Sequence, residues 1–172
     1  MIFFDTTTIA DAKAVYELVK SSGTLECNTE YAYLLLCTHF ANTCCVVRRD
    51  NEVMGALLAY VSPSAKNTLF VWQIGVASDC RGKGLARGMI LDVLRRTICK
   101  DVHYLQATVS ESNTSSRAVF SSLAKYISCP IKVTDGFLPE HFIGQHEAEP
   151  LLTIGPFKSQ IKGVNNANES AI

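Results

Sequence analysis

Arg81, Gly82, Lys83 and Gly84 stand between an apolar run that ends at Val76 and an apolar stretch that begins at Leu85. Glycine costs roughly 0.5–1 kcal/mol relative to alanine in regular structure, so two glycines one residue apart indicate that the backbone itself has a task there. In a strand–loop–helix setting that task is to present free amide N–H groups at the positive end of a helix, where they can cradle phosphate oxygens. Arg81 and Lys83 add local positive charge. A P-loop requires G-x-x-x-x-G-K-[ST], but here Gly84 is followed by Leu85. A dinucleotide fingerprint requires G-x-G-x-x-G in the first strand–helix unit; Gly82, Gly84 and Gly88 have a different third spacing and follow a later strand. A tight turn with no ligand stays open on the glycines alone.

A second group of residues has side chains that could line a site. Glu26 and Asn28 precede a helix-like stretch, where they fit helix caps or substrate contacts. Trp72 lies in a very apolar strand, where it packs in the core or lines a site. Tyr31 and Tyr33 fall on different helix faces, so at most one lines a pocket while the other packs. His146, Glu147 and Glu149 are metal-ligand types, but they have no second cluster, and His141 and His146 are not spaced for one helical face. A polar rim around a substrate is the better reading, and no metal is expected.

The elements that must position these groups follow from periodicity. Ile9, Ala12, Val15, Tyr16 and Val19 predict an amphipathic helix after the threonines at 6–8, stopped by Gly23. A second helix is predicted from Asn28 to about Phe40. The stretch "CCVVRRDNEVMGALLAYVS" reads as a hairpin turning at Asp50-Asn51, and "TLFVWQIGVAS" as a central strand, apolar on both faces. Leu85 to about Lys100 predicts a helix with Ala86, Met89, Ile90, Val93, Leu94 and Thr97 on one face. Then come strand "VHYLQATVS", a helix over "NTSSRAVFSSLAKYI" capped by Asn113 or a nearby serine, and strand "EPLLTIGPF". The predicted order is α-α-β-β-β-α-β-α-β, a mixed α/β sandwich. One domain is expected over residues 1–157, with 158–172 a polar, disordered tail.

Composition narrows the partners. The 172 residues include 48% hydrophobic ones, enough for a substantial core. Basic and acidic residues balance at 16 each, so no overall field favours nucleic acid or an anionic membrane. The seven cysteines are odd in number, lie mostly in apolar runs (Cys37, Cys44, Cys45, Cys99) and form no C-x-x-C pair. Reduced, buried thiols in a cytoplasmic protein are expected. The start of the chain lacks the basic region of a signal peptide, and no apolar run approaches the roughly 18–20 residues of a membrane span.

The stretch "VASDCRGKGLA" resembles the acetyl-CoA signature of the Gcn5-related N-acetyltransferase superfamily: a strand, R/Q-x-x-G-x-G/A, then a helix. Strand "YLQATVS" followed by Asn113, Ser115 and Ser116 resembles the second half of that pattern. Four longer blocks, "LECNTEYAYLLLCTHFANTCCV", "NTLFVWQIGVA", "ATVSESNTSSRAVFSSLA" and "GQHEAEPLLTIGPF", resemble the L-2,4-diaminobutyrate acetyltransferase family of ectoine biosynthesis over about Thr7 to Phe157. That family usually has Asp where this chain has Glu26. The resemblance implies a mostly antiparallel central sheet flanked by helices, acetyl transfer from acetyl-CoA to the side-chain amine of diaminobutyrate, and a homodimer. It places acetyl-CoA against Ile74, Val76, Arg81, Gly82, Lys83, Gly84, Leu85, Ala86, Asn113 and Ser116, with Asn113 beside the pantetheine arm. Backbone amides of Gly75 or Val76 become the oxyanion donors, and Glu26, Asn28, Tyr31, Trp72, Thr108 and Glu147 the substrate contacts. The place of a tyrosine general acid is held by Phe120, with Tyr126 further along, so the acid stays unassigned. Another small diamine or a protein amine is an alternative acceptor, and a non-catalytic acyl-CoA sensor an alternative class.

Overall fold

The computed structural model describes residues 1–23 and 25–157. In chain order these form β1 (Ile2–Thr6), α1 (Ala12–Ser22), α2 (Glu30–His39), β2 (Cys45–Arg49), β3 (Glu52–Val61), β4 (Thr68–Val76), α3 (Leu85–Arg95), β5 (Tyr104–Thr108), α4 (Thr114–Tyr126), β6 (Ile131–Phe137) and β7 (Glu149–Ile154). The strands make one sheet in the order β1-β2-β3-β4-β5-β7-β6, antiparallel throughout except between β4 and β5.

Strict alternation in β2 and β3 divides the core into two layers. Val46, Ala56 and Leu58 pack with Val15, Val19, Tyr33 and Leu36 of α1 and α2. Cys45, Val47, Leu57 and Ala59 face the other way, onto Met89, Ile90 and Val93 of α3 and Phe120 and Leu123 of α4. The β2–β3 turn places Asp50 at φ 51° and Asn51 at φ 70°, the left-handed pair that a two-residue hairpin requires and that Asp and Asn tolerate better than bulkier residues.

Two strands, β1 and β6, add to the order expected from the sequence, and both are edges of the sheet. β1 lies largely exposed, with Phe3 54% accessible, and β6 is solvated on both faces over Lys132–Asp135. Neither buries a continuous face, so neither leaves the period-two pattern that marks an interior strand. Phe4 anchors β1: a Cβ on Gly88 of α3 would stand 2.7 Å from its ring. Gly88 is therefore small to admit Phe4, and the third glycine after the loop belongs to packing.

Helix boundaries also shift. α2 begins at Glu30, because Thr29 Oγ1 accepts the Ala32 N–H at 3.3 Å and caps the helix. Asn28 thus lies outside it. α3 ends at Arg95, before a separate short turn at Thr97–Cys99. The tail expected over 158–172 lies outside the described residues.

All seven cysteines are free thiols, and Cys37, Cys44, Cys45, Cys80 and Cys99 are buried. Burial pushes the Cys44 and Cys45 thiols up to about 12 and Cys37 to about 11. Since the thiolate is the nucleophile, these side chains are inert in the folded protein. Native protein treated with iodoacetamide at pH 8 is expected to alkylate rapidly at exposed Cys27, slowly at half-buried Cys129, and at the other five only after denaturation. Intact-mass and peptide spectrometry read this directly; fast alkylation of Cys44 or Cys45 in native protein would contradict the packing.

Candidate active site

The site is built where the sheet opens. β4 and β5 pair in parallel only over Thr68–Phe70 and Tyr104–Gln106, although β4 continues to Val76 and β5 to Thr108. Beyond Phe70 the outer edge of β4 therefore faces a cleft instead of a neighbouring strand. On its other edge β4 pairs with β3, and Ala77 N–H donates to Met54 C=O at 2.8 Å. Antiparallel pairs alternate, so the Ala56–Gly75 pair points its amides at each other, while Ile74 and Val76 turn theirs away from β3 and into the cleft. Arg81 Nε donates to the Val76 carbonyl at 3.3 Å, which agrees with that orientation. Of the two oxyanion donors expected from the sequence, Gly75 is directed into the sheet and Val76 into the cleft.

The glycine loop forms one wall of a cavity of about 670 Å³ beside this edge. Gly82 and Gly84 have φ of 77° and 76°, and a Cβ at Gly82 would meet nothing within 4 Å. Their requirement is therefore conformational: left-handed backbone is costly for other residues. Gly84 is the residue preceding α3 and supplies no side-chain cap, which leaves the first-turn amides free for an anion. Every residue expected to hold acetyl-CoA, from Ile74 and Val76 through Arg81–Ala86 to Asn113 and Ser116, lines this cavity. Asn113 caps α4, its Oδ1 accepting the Ser116 N–H at 3.1 Å. The free amides, the basic residues and the long cleft fit a pyrophosphate with an extended arm.

A second cavity, about 840 Å³, adjoins the first. Leu25, Ile74, Asn113, Ser115 and Ser116 line both, so the two meet at the open edge of β4. Glu26, Asn28, Trp72, Thr108 and Glu147 line the second. Tyr31 does not: it is 67% exposed and outside both cavities, because helix α2 turns that face to solvent. Of the tyrosine pair, Tyr33 is the one that packs, fully buried between α1 and the sheet. Trp72 is half-buried, resting on the α1–α2 layer while it walls the cavity, so the core and pocket readings both apply.

The acids differ in setting. Glu147 is exposed at the rim, where its carboxylate accepts from the Ser112 hydroxyl and, at 3.3 Å, from the Ser112 N–H. Those hydrogen bonds hold its carboxyl below the usual range. Glu149 accepts from Thr108 Oγ1 at 2.7 Å and lies 3.9 Å from His146 Nε2. His146 stacks on Phe142, with ring centroids 3.8 Å apart, and its Nδ1 is 2.6 Å from the Glu147 carbonyl. A carbonyl only accepts, so Nδ1 carries the hydrogen and Nε2 of the neutral ring is a proton acceptor. Glu26 has no hydrogen-bond partner for its carboxylate among the described residues. Three carboxylates thus surround a cavity that can hold a small cationic molecule. Among the described residues no group of three or more His, Cys, Asp or Glu side chains could hold a metal ion, and no helix is long and apolar enough to cross a membrane.

The sequence places His146 and Glu149 only in a polar rim; the hydrogen bond of Glu149 with Thr108 depends on β5 and β7 lying side by side. It does not single out Phe137 and Phe142, which line the cavity from β6 and the following loop, or Gln73. The i+3 spacing of His146 and Glu149 was the available signal for the pair.

The model of the acetyltransferase (GNAT) family matches residues 12–124. The L-2,4-diaminobutyric acid acetyltransferase of Marinococcus halophilus is 40% identical over 157 residues, 91% of each chain. That of Halomonas elongata is 37% identical over 150 residues, 87% of this chain and 78% of its own. Among solved structures, the diaminobutyrate acetyltransferase EctA from Paenibacillus lautus, in complex with its substrate L-2,4-diaminobutyric acid and coenzyme A, superposes with a TM-score of 0.88 at 36% identity, covering 92% of this chain and 96% of that one. Ard1 from Thermoplasma volcanium, at 17% identity and TM-score 0.68, shares the fold alone. Loop, open sheet edge and overall sequence agree: the chain belongs to the GNAT acetyltransferases and, within them, to the L-2,4-diaminobutyric acid acetyltransferase family.

Proposed function

We propose that this chain transfers the acetyl group of acetyl-CoA to the side-chain (N4) amine of L-2,4-diaminobutyrate, giving N4-acetyl-L-2,4-diaminobutyrate for ectoine biosynthesis. The observation that carries the reading is the meeting of two cavities at the open edge of β4, one with an anion-binding loop and one ringed by carboxylates. The complex of the Paenibacillus lautus relative with diaminobutyric acid and coenzyme A supports the same pairing of ligands. Residues 1–157 act as one catalytic domain.

The free amides at the start of α3, with Arg81 and Lys83, hold the pyrophosphate. Asn113 and Ser116 border the arm that leads to the thioester. The Val76 N–H, in preference to Gly75, donates to the thioester oxygen as it gains charge during attack. A side-chain amine with a pKa near 10.4 is almost wholly protonated at pH 7, and freeing its lone pair costs roughly 4–5 kcal/mol. Glu149 and His146 Nε2 are the cavity's proton acceptors for that step, and Thr108 fixes the Glu149 carboxylate. The departing thiol needs little assistance, with an ordinary pKa near 8.5. Phe120, 1% exposed in the core, carries no proton, so the thiolate takes its proton from water.

The regiochemistry is geometric. The α-amine of an amino acid is the less basic nitrogen, so reactivity alone does not favour N4, and the carboxylates must hold the α-ammonium away from the thioester.

We place the enzyme in the cytoplasm, in keeping with its reduced thiols, and assign it as a homodimer. The exposed apolar side chains Val133, Phe137, Leu138 and Ile143, on edge strand β6 and the segment after it, form the surface that suits a second copy. The test of function is a panel of amines with acetyl-CoA, followed by thiol release. Diaminobutyrate should give the highest kcat/KM; selective turnover of a protein N-terminus, or none with any amine, would overturn the assignment.

A further inference from the structure

β4 carries a bulge at Trp72. Gln73 stands opposite Leu58 and Val71 opposite Ala59, so Trp72 is the extra residue. A bulge puts two successive side chains on one face. Here Trp72 and Gln73 both point to the α1–α2 side, whereas Val71 and Ile74 pack on the α3 side. Without the bulge, Gln73 would face the α3 layer.

The displaced Gln73, only 8% exposed, joins a buried hydrogen-bonded chain. Its Oε1 accepts from Tyr33 Oη at 3.1 Å, and its Nε2 donates to the Glu26 backbone carbonyl at 2.6 Å. Tyr33 Oη in turn accepts the Asn28 N–H at 3.2 Å. The phenol is fully buried, with Tyr16 edge-on at 5.8 Å. Burial pushes the phenol above its usual pKa, which keeps its donor hydrogen in place. Two buried side chains, one from the central sheet and one from α2, therefore grip both ends of the three-residue stretch Glu26–Asn28. That stretch is outside regular structure, and it holds Glu26 and Asn28 on the wall of the substrate cavity.

We propose that Gln73 and Tyr33 are positioning residues: they fix the Glu26–Asn28 segment against β4 and so determine which nitrogen of the diamino acid reaches the thioester. The proposal rests on the diaminobutyrate reading. An unanchored segment lets the Glu26 carboxylate drift by an ångström or more, and misplacement on that scale can cost about a hundredfold in rate. Glu26, Asn28, Tyr33 and Gln73 do not line the cavity of the glycine loop, so pyrophosphate binding at Arg81–Ala86 should be little affected by the anchor.

The experiment compares wild type with Tyr33→Phe, Gln73→Leu and the double variant. The double variant removes the Tyr33–Gln73 hydrogen bond as a whole pair, leaving neither of its side-chain partners buried and unsatisfied, and so guards against a single variant that fails to fold. Hydrogen–deuterium exchange reads the anchor without any substrate: residues 25–28 should lose protection while α3 and α4 keep theirs. Kinetics read the consequence. The KM for diaminobutyrate should rise roughly tenfold or more, the KM for acetyl-CoA should stay within about twofold, and some product should carry acetyl at the α-nitrogen. Unchanged exchange over 25–28 in folded variants overturns the anchor, whatever the substrate proves to be. Faster exchange with unaltered diaminobutyrate KM and product overturns the role in selection. Inactivity of wild type towards diaminobutyrate would strike at the substrate reading instead, and exchange alone would then decide whether the anchor exists.

Discussion

Gly84→Asp is expected to abolish acetyl-CoA binding while leaving the protein folded. Gly84 lies at φ 76°, where an L-residue pays about 1–2 kcal/mol, but Asp is among the better-tolerated residues. Its Cβ would meet only the end of the flexible Arg87 side chain, at 3.7 Å. The new carboxylate also stands at the cap position of α3, where it can accept first-turn N–H groups and offset part of the strain. The same feature destroys the anion site, since the amides meant for the pyrophosphate are occupied and a negative charge faces the ligand. Losing two or more charge-assisted hydrogen bonds of about 1.5–3 kcal/mol each implies a loss of at least a hundredfold. Calorimetric titration with CoA, beside a thermal melt, tests this. A folded variant with unchanged CoA affinity would remove the loop from the site.

Glu26→Gln is the second substitution with a large expected effect. Its carboxylate borders the substrate cavity without a partner among the described residues, and a Gln73-held backbone carries it. Neutralising it removes a contact to an ammonium group worth about 1.5–3 kcal/mol, a ten- to roughly hundredfold fall in kcat/KM for diaminobutyrate. Because orientation excludes the α-amine, some α-acetylated product should appear. Glu147→Gln should do less, since Ser112 already engages that carboxylate at the exposed rim. Steady-state kinetics with product separation distinguish the two. A Glu26 variant with wild-type kcat/KM and N4 product alone would move the clamp elsewhere, first to Glu149.

The contrast between these residues shows what the sequence could convey. The glycine loop was legible because Gly82 and Gly84 are needed for backbone conformation, a local property written in residue type. The β2–β3 hairpin was legible for the same reason, through Asp50 and Asn51. β1 and β6 were not, because edge strands bury no full face and carry no alternation. Gln73 was hidden for a subtler reason. In an apolar strand a single glutamine has no visible partner, and the bulge at Trp72 changes the face on which it stands. Tyr31 and Tyr33 were correctly separated onto two faces, but which face is buried depends on how α2 lies on the sheet. The join of Thr108 to Glu149 crosses from β5 to β7, and no local pattern announces it.

Acetyl transfer to the side-chain nitrogen of diaminobutyrate is the claim on which the rest depends, and the product itself tests it most directly. Wild-type protein, acetyl-CoA and L-2,4-diaminobutyrate labelled with nitrogen-15 at both amines should be taken to completion and the product examined by proton–nitrogen NMR. The expected result is a single new amide at N4, one thiol released per amide formed, and an α-amine that still titrates. An amide at the α-nitrogen, a mixture of both, or thiol released without any amide would contradict it.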